Sequence, residues 1–226
     1  MNTAPARGVE PATRLLRCAV HESQSRGTVL ALRSLLESSM LRPLVFAAAV
    51  FALPALPAAA AEVEGVKLPD TVKVAGSDLV LNGAGLRSKV VFKVYVGSLY
   101  LKEKATDLAG VLKSNPRRIQ LNLTRTLKGE QLVEAFDEGL KDNNSAAELE
   151  AVKAGHDQMK KILLSAGEVK EGGIVTMDFA DDKTTVSVNG KALGVVDGAG
   201  FNKAFTKIWL GTKPVQADLK SKLLGG

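Results

Sequence analysis

Apolar and polar positions alternate along some stretches of this chain and recur every three or four residues along others, and the two periods come in blocks. Residues 72–81 ("VKVAGSDLVL") alternate weakly around Gly76–Asp78 and predict a hairpin or two short strands. Residues 86–101, rich in Val, Phe and Tyr, predict one long strand. In 117–124, Ile119, Leu121 and Leu123 alternate with polar partners, as in a half-buried strand. The period then changes. Leu132, Val133, Phe136 and Leu140 share one helix face, with Glu130 and Glu134 early, where the helix dipole favours anions. Residues 146–167 predict a second amphipathic helix, with Leu149, Val152, Met159, Ile162 and Leu163 on its apolar side. Strands return at 173–180 and at 184–196, where Asn189-Gly190 is a strong hairpin signal. Phe201, Phe205, Ile208 and Trp209 mark a helix closed by Gly211, and a short helix beyond Pro214 ends near Leu224. Blocks of strands and blocks of helices, rather than strict alternation of the two, predict an α+β fold with a largely antiparallel sheet.

The pattern starts late. Met40 opens "MLRPLVFAAAVFALPALPAAAAEVEG", in which Arg42 precedes an apolar run from Leu44 to Leu56 and Ala59 and Ala61 stand in A-x-A spacing. That layout predicts a secretory signal peptide over 40–61, cut between Ala61 and Glu62. The run is too short to span a bilayer comfortably. Residues 1–39 are then either the product of a start assigned too early or a disordered leader. Residues 62–226 form one predicted domain, and the expected location is periplasmic or otherwise exported.

Composition narrows the chemistry. The chain carries a net charge of +6, but past residue 61 its cations and anions are interspersed, without a basic stripe or interleaved aromatics. Nucleic acid is therefore not an expected partner. The one cysteine, Cys18, lies in the leader, and His156 is the one histidine beyond it. Those counts leave no ligands for a zinc site of the usual kind, and no metal or cofactor is expected. No G-x-S-x-G motif accompanies His156, which reads as a surface or satisfied histidine.

"NGAG" at 82–85 resembles a nucleotide loop only briefly. Ser88 stands where a dinucleotide fingerprint needs glycine, and a strand-like run follows instead of a helix. The glycines read as a tight turn or bulge. Counting by two along the strand puts Arg87, Lys89, Val91, Lys93 and Tyr95 on one face. Such a face is either solvated or the polar mouth of a cleft, where arginine pairs with a carboxylate through two hydrogen bonds. Tyr100 falls on the opposite face unless a bulge intervenes. Phe205 and Trp209 suit either a core or an apolar pocket wall.

Three segments together resemble the chalcone isomerase-like family, in its exported bacterial branch, over about Val72 to Leu224. They are "LNGAGLRSKVVFKVYVGSLYL", "LKGEQLVEAFDEGL" and "TTVSVNGKALGVVDGAGFNKAFTKIWLGTKPVQADLKSKLLG". The resemblance implies an open-faced β-sandwich, a large antiparallel sheet covered on one side by helices, with a ligand cleft between them. The family holds isomerases that close the flavanone ring and non-catalytic members that bind fatty acids. In both groups an arginine matching Arg87 faces the cleft. The enzymes carry threonine where Tyr95 stands, and a tyrosine and an asparagine on the first helix, where this chain has about Leu132 and Gly139. A polar residue near the C-terminal helix is replaced here by Ile208 or a neighbour. No catalytic residue is therefore assigned.

The resemblance thus implies a non-enzymatic binder of a fatty acid or similar amphipathic acid. Arg87 and Tyr95 would clamp the carboxylate, and Tyr100, Phe136, Phe205 and Trp209 are further candidate ligand contacts. Burial of a tail of roughly twelve to eighteen carbons, at about 0.8 kcal/mol per CH₂, would supply ample gross affinity. The alternatives are a chalcone isomerase-type lyase acting in the same cleft and a structural or interaction protein of the cell envelope, its protein partner unknown.

Overall fold

The computed structural model describes residues 61–226, so the predicted leader and most of the predicted signal peptide lie outside the described residues. The chain begins with β1 (Ala61–Val63), β2 (Val66–Leu68), β3 (Thr71–Val74), β4 (Ser77–Lys89) and β5 (Phe92–Leu101). After α1 (Leu108–Lys113) come β6 (Arg117–Leu123) and β7 (Leu127–Lys128). A helical block follows, α2 (Gly129–Asn143), α3 (Ala146–Ala151) and α4 (Lys153–Ser165). The chain then runs through β8 (Glu168–Val169), β9 (Ile174–Ala180), β10 (Lys183–Val188) and β11 (Lys191–Asp197), ending in α5 (Ala199–Leu210) and α6 (Ala217–Leu223).

Seven strands form one antiparallel sheet in the order β11-β10-β9-β6-β5-β4-β3, while β1 pairs with β2 and β7 with β8. This is the expected α+β architecture. The β10–β11 turn holds Asn189 at φ 49° and Gly190 at φ 79°, the left-handed pair that the Asn-Gly signal predicts. The Asn189 side chain also accepts the Ile174 N–H at 2.8 Å and ties this turn to the start of β9.

Two predicted elements divide. The run 86–101 is not one strand but the end of β4, a turn at Val90–Val91, and β5. No glycine, proline or asparagine marks the turn; the long β4–β5 pairing, fixed from both sides, imposes it. The predicted helix over 146–167 breaks at Val152, whose φ −108° and ψ 11° leave the helical region. Ser145 and Glu148 cap α3 reciprocally, and the break lets α4 pack on α2 and β11.

The "NGAG" stretch is a bulge inside β4, with the register shifting between Leu81 and Gly83. Asn82 turns inward, donating to Leu223 O (2.7 Å) and Ala105 O (2.9 Å) and accepting from Ala105 N (2.8 Å). A Cβ on Gly83 would collide with the Lys222 carbonyl oxygen, so glycine there lets the end of α6 press onto β4.

Helix α5 is buried on most sides and carries Phe201, Phe205, Ile208 and Trp209 into the main core. Phe136, Phe201, Phe205 and Trp209 stack edge to face or tilted, with centroids 5.3–6.3 Å apart. Arg117 is a buried cation with no carboxylate partner among the described residues. It sits 4.5 Å over the Phe179 ring and donates to Thr206 Oγ1 (3.0 Å) and Asn202 Oδ1 (3.3 Å). Burial lowers its pKa from the ordinary 12.5 to about 10.

Candidate functional site

Between the sheet and the helices lies a cavity of about 190 Å³. The sheet supplies Tyr95, Leu121, Val175 and Met177; the helices supply Phe136, Leu163, Phe205 and Trp209. Its polar lining comes from Arg87, Lys89, Arg125, Gln131, Glu134 and Glu138. An apolar interior with few polar groups is the usual form of a small-molecule site. A cavity of about 150 Å³ holds a benzene molecule, so this one holds about eight carbons. That is shorter than the tail expected from the sequence.

Arg87 and Tyr95 do share a face, but not because two-residue spacing carries them along one strand. They are direct cross-strand partners on β4 and β5. The register shifts between Arg87 and Ser88, which leaves Val94 as an extra residue on β5. This bulge brings both Val94 and Tyr95 to the cavity. On the other side of the bulge, Gln216 steadies β4, accepting from Ser88 N (2.9 Å) and donating to Leu86 O (3.2 Å).

The Tyr95 phenol is buried, and its oxygen accepts the Trp209 indole N–H at 3.0 Å. Burial pushes its pKa above the ordinary value, opposed by the Trp209 hydrogen bond and by the nearby Arg87 charge. The phenol is therefore protonated at neutral pH. With its oxygen already accepting, its O–H remains available to donate. Arg87 is half-buried and donates one N–H to Ser88 O at 2.6 Å. Its other donors remain for a ligand.

Five of the six sequence candidates thus line one cavity: Arg87, Tyr95, Phe136, Phe205 and Trp209. Tyr100 does not. It lies in a separate small cluster with Val74 and Leu79. The alternation along β5 from Tyr95 reverses its facing, as the face count predicts. Arg125 carries no signal in the sequence because it follows β6 in a loop, where periodicity is uninformative. Met177, Val175 and Leu121 read only as alternating strand residues.

Two positions bear on catalysis. Gly139 packs against α5, where an added Cβ would lie 2.7 Å from Ile208 Cγ2, so no side chain reaches the cavity from there. Leu132 lines the site with an apolar group. Gln131 lies beside it, but its carbonyl oxygen accepts from Lys128 N at 3.0 Å. His156 stacks on Phe136 at 5.3 Å and its Nε2 lies 2.6 Å from Asp137 Oδ1, a satisfied position outside the cavity lining.

The comparisons agree with this architecture. The chalcone isomerase-like family model matches residues 60–225. No curated protein matches the sequence significantly. Among solved structures, an Arabidopsis thaliana fatty-acid-binding protein aligns with a TM-score of 0.53 at 13% identity. The alignment covers 71% of this chain and 92% of that one. At that identity the likeness speaks for the fold, and the family match carries the assignment: the chain belongs to the chalcone isomerase-like family.

Proposed function

We propose that this chain is a non-enzymatic binding protein for a fatty acid or similar amphipathic carboxylate, and that it acts after export. The observation that carries the reading is the Arg87–Tyr95 pair at an apolar cavity. A guanidinium offers a bidentate pair to a carboxylate, and the phenol adds a third donor. Lys89 and Arg125 add positive charge to the lining, offset in part by Glu134 and Glu138. The structurally similar plant protein is itself a fatty-acid-binding protein, which supports the choice of ligand class. Export rests on the signal-like segment over 40–61. Among the described residues no helix is long and apolar enough to cross a membrane.

An isomerase would need positioned donors to activate a phenol and stabilise an enone. The helix positions discussed above offer Leu132 and Gly139 instead, which favours binding over chemistry.

The test is lipid extraction and mass spectrometry of the chain purified without detergent, with titration of an added acid to wild type and Arg87→Ala. A charged hydrogen-bonded pair contributes roughly 1.5–3 kcal/mol, so Arg87→Ala is expected to lose about 10- to 150-fold in affinity. Unchanged affinity would remove the clamp assignment. Chalcone cyclisation faster than the spontaneous rate would move the reading to the isomerase alternative.

A further inference from the structure

The most exposed apolar side chains of the described residues are consecutive. Val90, Val91 and Phe92 are 90%, 80% and 61% exposed, and together they form the tip of the β4–β5 hairpin. The tip breaks two local rules. Val90 sits at φ 58°, a conformation rare for a β-branched residue and one that hairpin turns commonly give to glycine or asparagine. Glu64, Ala75, Asp181 and Asn189 also take positive φ in their turns, and Val90 is the one β-branched residue among the described residues that does. Three consecutive apolar residues are also exposed to water, with the Arg125 guanidinium near the Phe92 ring. A strained residue that also exposes apolar surface marks a functional element.

The charges around the tip indicate what it meets. Lys89 and Lys93 flank it directly, Arg125 lies with its guanidinium 5.8 Å over the Phe92 ring, and Arg87 is three residues behind Val90. Glu64 faces them from β1–β2 and pairs with Lys93 at 2.7 Å; Glu134 and Glu138, both exposed on α2, line the same cavity as Arg87, Lys89 and Arg125. Lys89, Arg125 and Arg87 have no ion-pair partner among the described residues. At about 3.3 Å per strand residue, the collar begins next to the tip and ends roughly 10 Å behind it. That spacing matches an apolar group sunk about 5–10 Å at the headgroup boundary, with cations reaching back to the lipid phosphates.

We propose that the β4–β5 tip is a docking wedge for an anionic bilayer surface: Val90, Val91 and Phe92 enter the headgroup region, and Lys89 and Arg125 meet the lipid phosphates. A specific protein interface buries about 800 Å² per partner over some 20–30 residues, whereas this wedge is three side chains on the end of two strands. A bilayer needs no such matching surface. Arg87, Lys89 and Arg125 also line the cavity, so docking by this tip brings the cavity to the membrane. The wedge does not depend on the cavity's ligand being a fatty acid.

The experiment uses the full chain with Cys18→Ser and a polarity-sensitive fluorophore on Val91→Cys. A control carries the label on Asp182→Cys, in the β9–β10 turn at the opposite end of the sheet. Labelled chains with unchanged thermal unfolding are mixed with phosphatidylcholine vesicles, with or without roughly a third phosphatidylglycerol. The expected result is a blue shift and brightening at position 91 with the anionic vesicles, reversed by salt, and none at position 182. Each cation near an anionic surface contributes roughly fivefold, so Lys89→Gln with Arg125→Gln should weaken the response about 25-fold at low salt. A label at 91 that stays in water on saturating vesicles overturns the proposal, even if the chain binds them through another segment. Equal responses on both vesicle types, untouched by the double substitution, overturn it too. Loss of water contact only on adding a protein would assign the tip to a protein partner instead.

Discussion

The dependence of affinity on acyl-chain length follows from the cavity volume. A series of straight-chain acids from four to sixteen carbons changes one variable, the apolar length behind a constant carboxylate. Each buried CH₂ contributes about 0.8 kcal/mol, close to fourfold in affinity. Scaled from the cavity of about 150 Å³ that takes benzene, 190 Å³ takes about eight carbons. Lengthening the acid from four to eight carbons should therefore gain about 3 kcal/mol, or some 200-fold, less the cost of ordering the tail. Beyond about eight carbons the added methylenes lie outside, and the gain should fall below about twofold per carbon. Isothermal titration reads this directly. Trp209, the single tryptophan of the chain, lines the cavity and offers a second readout by its emission. A steady fourfold gain per carbon out to sixteen would refute the volume argument, because the site would then have to enlarge to take the whole tail.

Other outcomes follow from packing and charge. Tyr95→Phe removes the acceptor of the Trp209 N–H in a buried setting and should cost about 1–3 kcal/mol in denaturant unfolding. Gly139→Ala drives a methyl to 2.7 Å from Ile208 Cγ2 and should destabilise by about 1–3 kcal/mol, measured by the same unfolding curves, unless Ile208 changes rotamer. Gly83→Ala meets a backbone carbonyl instead, and should loosen α6, read as faster hydrogen exchange in residues 217–223. The Glu148 carboxyl is held down to about 2 from the ordinary 4.5, chiefly by the Lys207 hydrogen bond and then by Ser145. Its contribution is therefore full above about pH 4.5 and lost as pH falls through about 2. Glu148→Gln should flatten the stability–pH curve in that window, and added salt should shrink the difference, since the pair is partly exposed.

Much of the fold is legible in the sequence because its determinants are local. Alternation locates β6 and β9, the Asn189-Gly190 pair locates the β10–β11 turn, and the spacing of Phe201, Phe205 and Trp209 locates α5. The turn at Val90–Val91 is not legible, because valines read as strand interior and only the pairing of β4 with β5 bends the chain there. The break at Val152 escapes for a like reason: Val152 fits the apolar face of a continuous helix, and the packing of α4 on α2 and β11 decides otherwise. In the cavity, helical spacing puts Phe136, Phe205 and Trp209 on apolar helix faces, and the family resemblance is what makes them candidate pocket residues. Counting along a single strand groups Arg87 with Tyr95, yet the strand folds back, and their pairing across β4 and β5 produces the same juxtaposition. Arg117 reads as a strand residue and not as a buried cation, since nothing in "RRIQLNLT" says which arginine faces Phe179 and α5.

The sheet consists of two meanders, β3-β4-β5-β6 and β9-β10-β11, which meet where β6 pairs with β9. In kinetic terms that seam is the remote contact of the sheet. Asn122 pairs with Ile174 across about 50 residues, and closing such a loop costs about 3.5 kcal/mol of chain entropy, against about 1 for a hairpin turn. The small β7–β8 ladder changes this. Leu127 pairs with Val169 and Lys128 with Glu168, so the ladder ties the helical block at its base. Once it closes, only the short connections 124–126 and 170–173 separate the ladder from β6 and β9. The ladder itself closes about 40 residues, at roughly 3.3 kcal/mol by the same relation, so it carries the loop cost and leaves the β6–β9 seam nearly local; weakening it should slow folding by up to the factor by which it lowers stability, with little change in the unfolding rate.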